Sequence, residues 1–181
     1  MKILTSQTLH SDNWIKVLKR GYLDKAGREK SWTYIERSNG QRAAVIVPVA
    51  RETGTLILIS QFRVPFGREI IEFPAGLIDP GETAAQTAER ELMEETGYRG
   101  RVVEVGPPIS TSCGLTTELI HLVYMEVDEE QAAEPQLESS EKIRVLKLKR
   151  EDFSTLLGKS EADEILLDAK VYVYLREMAP A

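Results

Sequence analysis

The chain has 181 residues, 42% hydrophobic and 29% charged, which predicts a globular domain of ordinary size with room for a small appended piece and excludes a disordered chain. Acidic residues outnumber basic ones 29 to 23, so no nucleic acid is expected as partner, although a local basic spot could still hold a small phosphate ligand. Cys113 is the only cysteine, no apolar run approaches the ~18 residues of a membrane span, and residues 1–16 lack the build of a signal peptide, so the expected setting is cytoplasmic, with no membrane partner.

In chain order, residues 14–18 and 32–37 read as short alternating strands around a Gly/Asp/Lys-rich turn. This first piece carries few aliphatics and would bury little alone. Residues 42–50 and 55–63 are apolar, β-branched runs joined by Glu52-Thr53-Gly54, a hairpin or two adjacent strands. Residues 69–73 form the next strand, stopped by Pro74-Ala75-Gly76. A loop over 77–82 leads into a helix over 84–96. Thr83 is its N-cap, Gln86 completes a capping box, and Gly97 ends it in the left-handed conformation. Strands follow at 101–105 and 119–127, then an acidic loop over 128–141 and a strand over 142–149. Residues 151–157 and 162–178 read as helices, the second with a Leu166/Val171/Tyr174 stripe. This mixture predicts an α/β/α sandwich, with residues 1–40 as an N-terminal β subdomain and 41–181 as the main domain.

The helix over 84–96 places its charges unusually. At about 100° per residue, Ala85, Ala88 and Leu92 share one arc, which defines the buried face. Glu91 and Glu95 border that arc, Glu94 stands just beyond, and Gln86, Glu89, Arg90 and Met93 lie outside it. Glu91 and Glu95 are an i,i+4 like-charge pair, destabilising even in water. Drawn toward a core they also need a neutralising partner, and Arg90 and a bound cation are the candidates. Three carboxylates suit a hard divalent ion, Mg²⁺ or Mn²⁺, whereas nearby His or Cys would have favoured Zn²⁺. The plain alternative is a solvated, glutamate-rich helix face. The turns at Pro74-Ala75-Gly76 and Pro80-Gly81-Glu82 favour the ion, because a loop folded back on the acids can add backbone carbonyls.

Gly76, five residues, Glu82, seven residues, then Arg90-Glu91-Leu92-Met93-Glu94-Glu95-Thr96-Gly97-Tyr98 resembles the Nudix box, with every fixed position matched and Tyr98 closing it. The resemblance implies a Nudix-type α/β/α sandwich with a mixed sheet, and hydrolysis of nucleoside diphosphates linked to another moiety. It implies that Glu91, Glu95 and the Ala75 carbonyl bind Mg²⁺, with Glu94 binding directly or through water. Arg90 would orient the carboxylates, while Glu82 would support the loop that Gly76 opens.

The flanks Gln61-Phe62-Arg63 and 71–79 look like the ADP-sugar (ADP-ribose) pyrophosphatase branch, as do Asn13-Trp14-Ile15-Lys16 and Lys30-Ser31-Trp32-Thr33-Tyr34. That likeness implies a homodimer with exchanged N-terminal subdomains. Trp14 and Trp32 would stack on the base, Arg63 would contact the diphosphate and Arg37 the nucleotide end. Glu72 is a further candidate for the metal cluster. The general base falls to Glu141 by alignment of the acidic loop, with Glu118 its rival. Cys113 stands where the branch usually carries a proline, which leaves room for a broader range of nucleoside diphosphate sugars. An alternative is nucleotide-pool cleaning, on oxidised nucleoside diphosphates or dinucleotides such as NADH, with the same carboxylates.

Overall fold

The structure, a computed structural model, describes residues 1–137 and 142–179. In chain order its elements are β1 (Lys2–Ser11), β2 (Ile15–Leu23), β3 (Glu29–Arg37), β4 (Ala43–Ala50), β5 (Leu56–Arg63), β6 (Arg68–Glu72), β7 (Ala75–Leu77), α1 (Ala84–Thr96), β8 (Gly100–Val105), β9 (Ile109–Ser110), β10 (Leu119–Val127), β11 (Ile143–Leu148), α2 (Phe153–Glu161), β12 (Leu166–Leu167) and α3 (Ala169–Met178). They divide into two compact units. One comprises Met1–Ala43 with Pro108–His121, the other Ala44–Pro107 with Leu122–Ala181.

In the first unit β1, β2 and β3 form an antiparallel meander. Turn chemistry sets its corners: the Asp12 carboxylate accepts from the Trp14 and Ile15 amides at 2.7 and 2.8 Å, and Gly27 takes the left-handed conformation at φ 75°. The long strand β1 has no counterpart in the sequence reading. All its residues but Leu4 are exposed, so no apolar alternation marks it, and it is a strand because β2 satisfies its backbone. The segment Pro108–His121 joins this unit from far along the chain. Ile35 accepts from Thr117 and donates to Leu115 at 3.0 and 2.8 Å, and β9 pairs with the start of β10.

The second unit is a mixed sheet in the order β12-β6-β5-β4-β10-β8, with β11 on β5 and β7 on β4. β12 runs parallel to β6, whereas β6 and β11 are antiparallel to β5. Strand alternation sends Ala44, Ile46, Ile57, Val123, Met125 and Val127 to one face, where they enclose Ala88 and Leu92 of α1. On the other face Phe73 meets Tyr174 of α3 edge-on at 5.7 Å, and Phe153 of α2 meets the same ring at 6.5 Å. Each such buried apolar side chain contributes about 1.5–3 kcal/mol. The sheet is therefore covered by helices on both faces, the α/β/α sandwich expected. No helix among the described residues is long and apolar enough to cross a membrane.

Two elements near the C-terminus correct the sequence reading. The single helix expected over 162–178 is instead a turn, the strand β12 and the shorter α3. Asp163 is left-handed at φ 57°, the Leu166–Leu167 backbone pairs with Ile70–Ile71, and only then does the Asp168 carboxylate cap α3 by accepting from the Lys170 amide at 2.9 Å. Leu166 imitated a helical stripe while belonging to a sheet edge. The helix expected over 151–157 starts two residues later, after a 3₁₀ turn at Arg150–Asp152, and runs on to Glu161.

Candidate active site

The helix α1 begins and ends where its sequence dictates. The Thr83 hydroxyl accepts from the Gln86 amide at 3.3 Å and the Gln86 side chain accepts from the Thr83 amide at 2.9 Å. At the other end Gly97 is left-handed at φ 70°. A Cβ there would also collide with the Ala133 carbonyl oxygen, so the following loop packs on the helix end only because the residue is glycine. Between these caps Ala88 and Leu92 are fully buried. Glu95 is only 4% exposed, the Glu91 side chain 15% and the Glu94 side chain 43%. The order of burial follows the helical wheel.

The turn that precedes α1 is built around these acids. The Pro74 carbonyl accepts from Ile46 of β4 at 2.8 Å, and β7, expected as loop, pairs with the same strand. The Ala75 amide then donates to Glu95 Oε2 at 2.9 Å. At Gly76 a Cβ would coincide with the Glu91 carboxylate. No larger residue allows the backbone this approach.

Arg90 ties the group together. Its Nε and Nη2 donate to the two oxygens of Glu82, both at 3.0 Å, and Nη1 donates to Glu91 and Glu94 at 2.7 and 3.0 Å. The Leu77 carbonyl accepts from Nη2 at 3.4 Å. The Arg90 hydrogen bonds, with a further one from the Thr87 hydroxyl at 2.7 Å, pull Glu82 down to a pKa of about 2. Glu82 in turn, with Glu91 and Glu94, holds Arg90 above the ordinary arginine value. Thr87 was not singled out from the sequence; its signal is its place one turn into the helix, five residues after Glu82. Three carboxylates hydrogen-bond to this one guanidinium, Asp79 stands 3.9 Å from its Nη2, and the buried Glu95 lies close by on the same helix. Among the described residues no three His, Cys, Asp or Glu side chains close on one ion position.

Arg63 of β5 reaches along the β5–β6 pair to Glu72. Arg63 Nε and Nη2 donate to the two Glu72 oxygens at 2.8 and 2.7 Å. This pair, with lesser help from the charges of Glu95 and Asp168, raises the Arg63 pKa. Arg63 and Glu72 line a cleft of about 300 Å³ with Phe66, Leu167 and Asp168.

The remaining candidates that the structure describes lie in the first unit. Trp14 is 73% and Trp32 55% exposed, and the Trp32 indole donates to the Gly114 carbonyl at 2.9 Å. Arg37 is paired with Glu118, its Nε at 2.8 Å and its Nη2 at 2.7 Å from Glu118 Oε1. Cys113 is exposed. Glu141 lies outside the described residues.

Comparison with known proteins bears on the family. Residues 40–168 match the NUDIX domain model. The mouse ADP-sugar pyrophosphatase is 34% identical over 95% of this chain and 85% of its own length. The ADP-ribose pyrophosphatase of Saccharomyces cerevisiae is also 34% identical, over 87% of this chain and 74% of its own. Among solved structures, a crystal structure of an ADP compounds hydrolase superposes with a TM-score of 0.75 at 20% identity, covering 97% of this chain and 91% of that one. Nudix hydrolases generally use divalent metal ions. A matching domain model, relatives of this identity and a fully formed box helix lead to one conclusion: the chain belongs to the Nudix family of hydrolases.

Proposed function

We propose that the chain hydrolyses the pyrophosphate bond of ADP-ribose, or of a related nucleoside diphosphate sugar, into a nucleoside monophosphate and a sugar phosphate. What carries this reading is the set of α1 carboxylates, with Glu95 bonded to the Ala75 amide and Glu91 and Glu94 to Arg90, in a chain whose relatives are named for ADP-sugar and ADP-ribose.

The donor set offers the carboxylates of Glu91, Glu94 and Glu95 and the Ala75 carbonyl, and negative charge exceeds what Arg90 alone neutralises. These oxygen donors are of the type that a hard divalent cation, Mg²⁺ or Mn²⁺, takes, while among the described residues no three of the side chains close on one ion position. When bound, such an ion neutralises diphosphate charge and acidifies a water. The chain's own residues do the rest. Arg90 keeps Glu91 and Glu94 oriented, and Glu82 holds Arg90. Arg63, oriented by Glu72, binds the diphosphate. Trp14 and Trp32 stack on the base, and stacking of this kind is worth about 1–3 kcal/mol. Glu141 accepts the proton of the attacking water. The N-terminal subdomain, whose first strand is exposed at every position but Leu4, exchanges between two copies of the chain, which gives it a partner surface. The single cysteine suits a cytoplasmic setting.

The test is a substrate panel. With Mg²⁺, ADP-ribose, GDP-mannose or UDP-glucose should yield AMP, GMP or UMP. Turnover confined to oxidised nucleoside diphosphates or NADH would replace this reading with pool cleaning, and no turnover of any of them would end it.

A further inference from the structure

The structure assigns a role to an acid at the corner between β1 and β2: we infer that Asp12 is a positioning residue, which with Ser38 clamps this corner and so fixes how Trp14 presents its indole. This rests on the pyrophosphatase reading above, in which Trp14 stacks on the base, and it concerns the first unit alone.

The corner is not of a kind that its backbone closes unaided. Ser11 at the end of β1 pairs with Lys16 of β2, which leaves Asn13 and Trp14 at the tip. Two-residue hairpin loops favour turns with a positive φ at one or both central residues. Among the described residues Asp163 is the only non-glycine with a positive φ, so Asn13 and Trp14 follow neither of the favoured forms. The Asp12 amide donates to the Ile15 carbonyl at 3.0 Å. In a closed hairpin the return bond runs from the Ile15 amide to the Asp12 carbonyl. Here it goes to the Asp12 side chain, whose Oδ1 accepts from the Ile15 amide at 2.8 Å and from the Trp14 amide at 2.7 Å.

The Asp12 carbonyl, released from that bond, accepts from the Ser38 hydroxyl at 2.8 Å. The Ser38 amide donates to the Trp14 carbonyl at 3.0 Å. Ser38 directly follows β3, whose last residue, Arg37, pairs with Ile15. The backbone is therefore held on both sides of Trp14, its amide by Asp12 and its carbonyl by Ser38. Short polar side chains are suited to this work at turns, because they reach backbone groups two or three residues away. The second Asp12 oxygen stands 3.3 Å from His10 Nε2, a third point of attachment for the carboxylate.

The side chain carried on this corner is in the opposite condition, with its indole open to solvent. An exposed tryptophan on a loose turn has its backbone ordered only when a ligand arrives, and that ordering is subtracted from the stacking energy. At Trp14 the backbone is ordered beforehand, by two side chains that have no ring to stack. Asp12 thus acts on the ligand through Trp14 alone.

A double-mutant cycle on AMP affinity, measured by calorimetry, tests the assignment together with the fluorescence anisotropy of Trp14. Trp14→Ala is expected to weaken AMP binding about tenfold and Asp12→Ala about fivefold. The double variant should be no worse than Trp14→Ala alone. Asp12→Asn keeps an oxygen for both amides and should stay within about twofold of the parent. For ADP-ribose, KM should rise about fivefold in Asp12→Ala while kcat stays within about twofold. The chain has two tryptophans, so in a Trp32→Phe background Trp14 alone emits; there Asp12→Ala should lower the anisotropy and Asp12→Asn should restore it. Ser38→Ala, which releases only the Asp12 carbonyl, should weaken AMP binding about threefold and covers the case in which Asp12→Ala misfolds. Additive losses in the cycle, parental AMP affinity or anisotropy in Asp12→Ala, or an asparagine variant as weak as the alanine one would each overturn the inference. So would a Trp14→Ala variant or a parent chain that shows Trp14 idle, with AMP affinity unchanged or absent, even where ADP-ribose is turned over. Absence of all sugar-nucleotide turnover with the AMP cycle intact would instead sink the pyrophosphatase reading and leave this one standing.

Discussion

The carboxylate group of α1 and the Arg37–Glu118 pair are both fixed ion-pair systems, yet they are made in opposite ways. In the first, Gly76, Glu82 and residues 90–95 lie within twenty positions, and one turn and one helix supply the geometry. In the second the partners are 81 positions apart, and only the register of β3 against a distant loop unites them. The helix site also concentrates charge, with four carboxylates around one guanidinium and Glu95 buried on the same helix. The pair in the first unit is balanced one to one. A local site built at an electrostatic cost is what cation chemistry needs, whereas a balanced pair orients a donor.

The largest effect should come from the helix. Glu91→Gln removes one charge next to Gly76 and should lower kcat for ADP-ribose by roughly 10³-fold with the fold intact by circular dichroism. A loss below about tenfold would show that the carboxylates serve no common ion.

Gly76→Ala comes next. Its new methyl would displace the Glu91 carboxylate, so activity should fall about 100-fold and stability by about 1–3 kcal/mol in urea titration. An unaffected variant would mean that the turn has slack that its geometry does not show.

In the first unit the effects should be smaller and appear in KM. Trp32→Ala should raise KM for ADP-ribose roughly tenfold, from lost stacking, with little change in kcat. A selective loss of kcat would separate Trp32 from the base and blur the contrast between the two regions.

Smallest is the acid response of Glu82. Its folded pKa, about 2, lies below the ordinary 4.5, so its stabilising contribution is complete above pH 4.5 and is lost as pH falls from there toward about 2. Urea titrations across that window should show a steeper loss for the parent chain than for Glu82→Gln; parallel curves would mean that the Arg90 fork does not hold Glu82 in solution.

The same contrast explains what could be read from the sequence. Thr83, Gln86 and Gly97 announce the ends of α1, and the wheel ranks Glu95, Glu91 and Glu94 by burial, because each signal is contained within a few turns. The strands β4 and β5 announced themselves as apolar runs. By contrast β1 is exposed at every position but Leu4 and exists through pairing. Leu166 fits a helical stripe until β6 claims the backbone of Leu166 and Leu167. Long-range partners leave no mark in local spacing.

The proposed cation site turns on Glu95, a buried carboxylate that meets the Ala75 amide. The most direct measurement is thermal unfolding of the parent chain and Glu95→Gln, each in EDTA and in Mg²⁺. Glutamine keeps the acceptor that meets the Ala75 amide while removing the buried charge. In EDTA the variant should melt at or above the parent, by as much as ~5 °C, and Mg²⁺ should raise the melting temperature of the parent only. A variant that melts well below the parent in EDTA, yet gains as much as the parent from Mg²⁺, would contradict it.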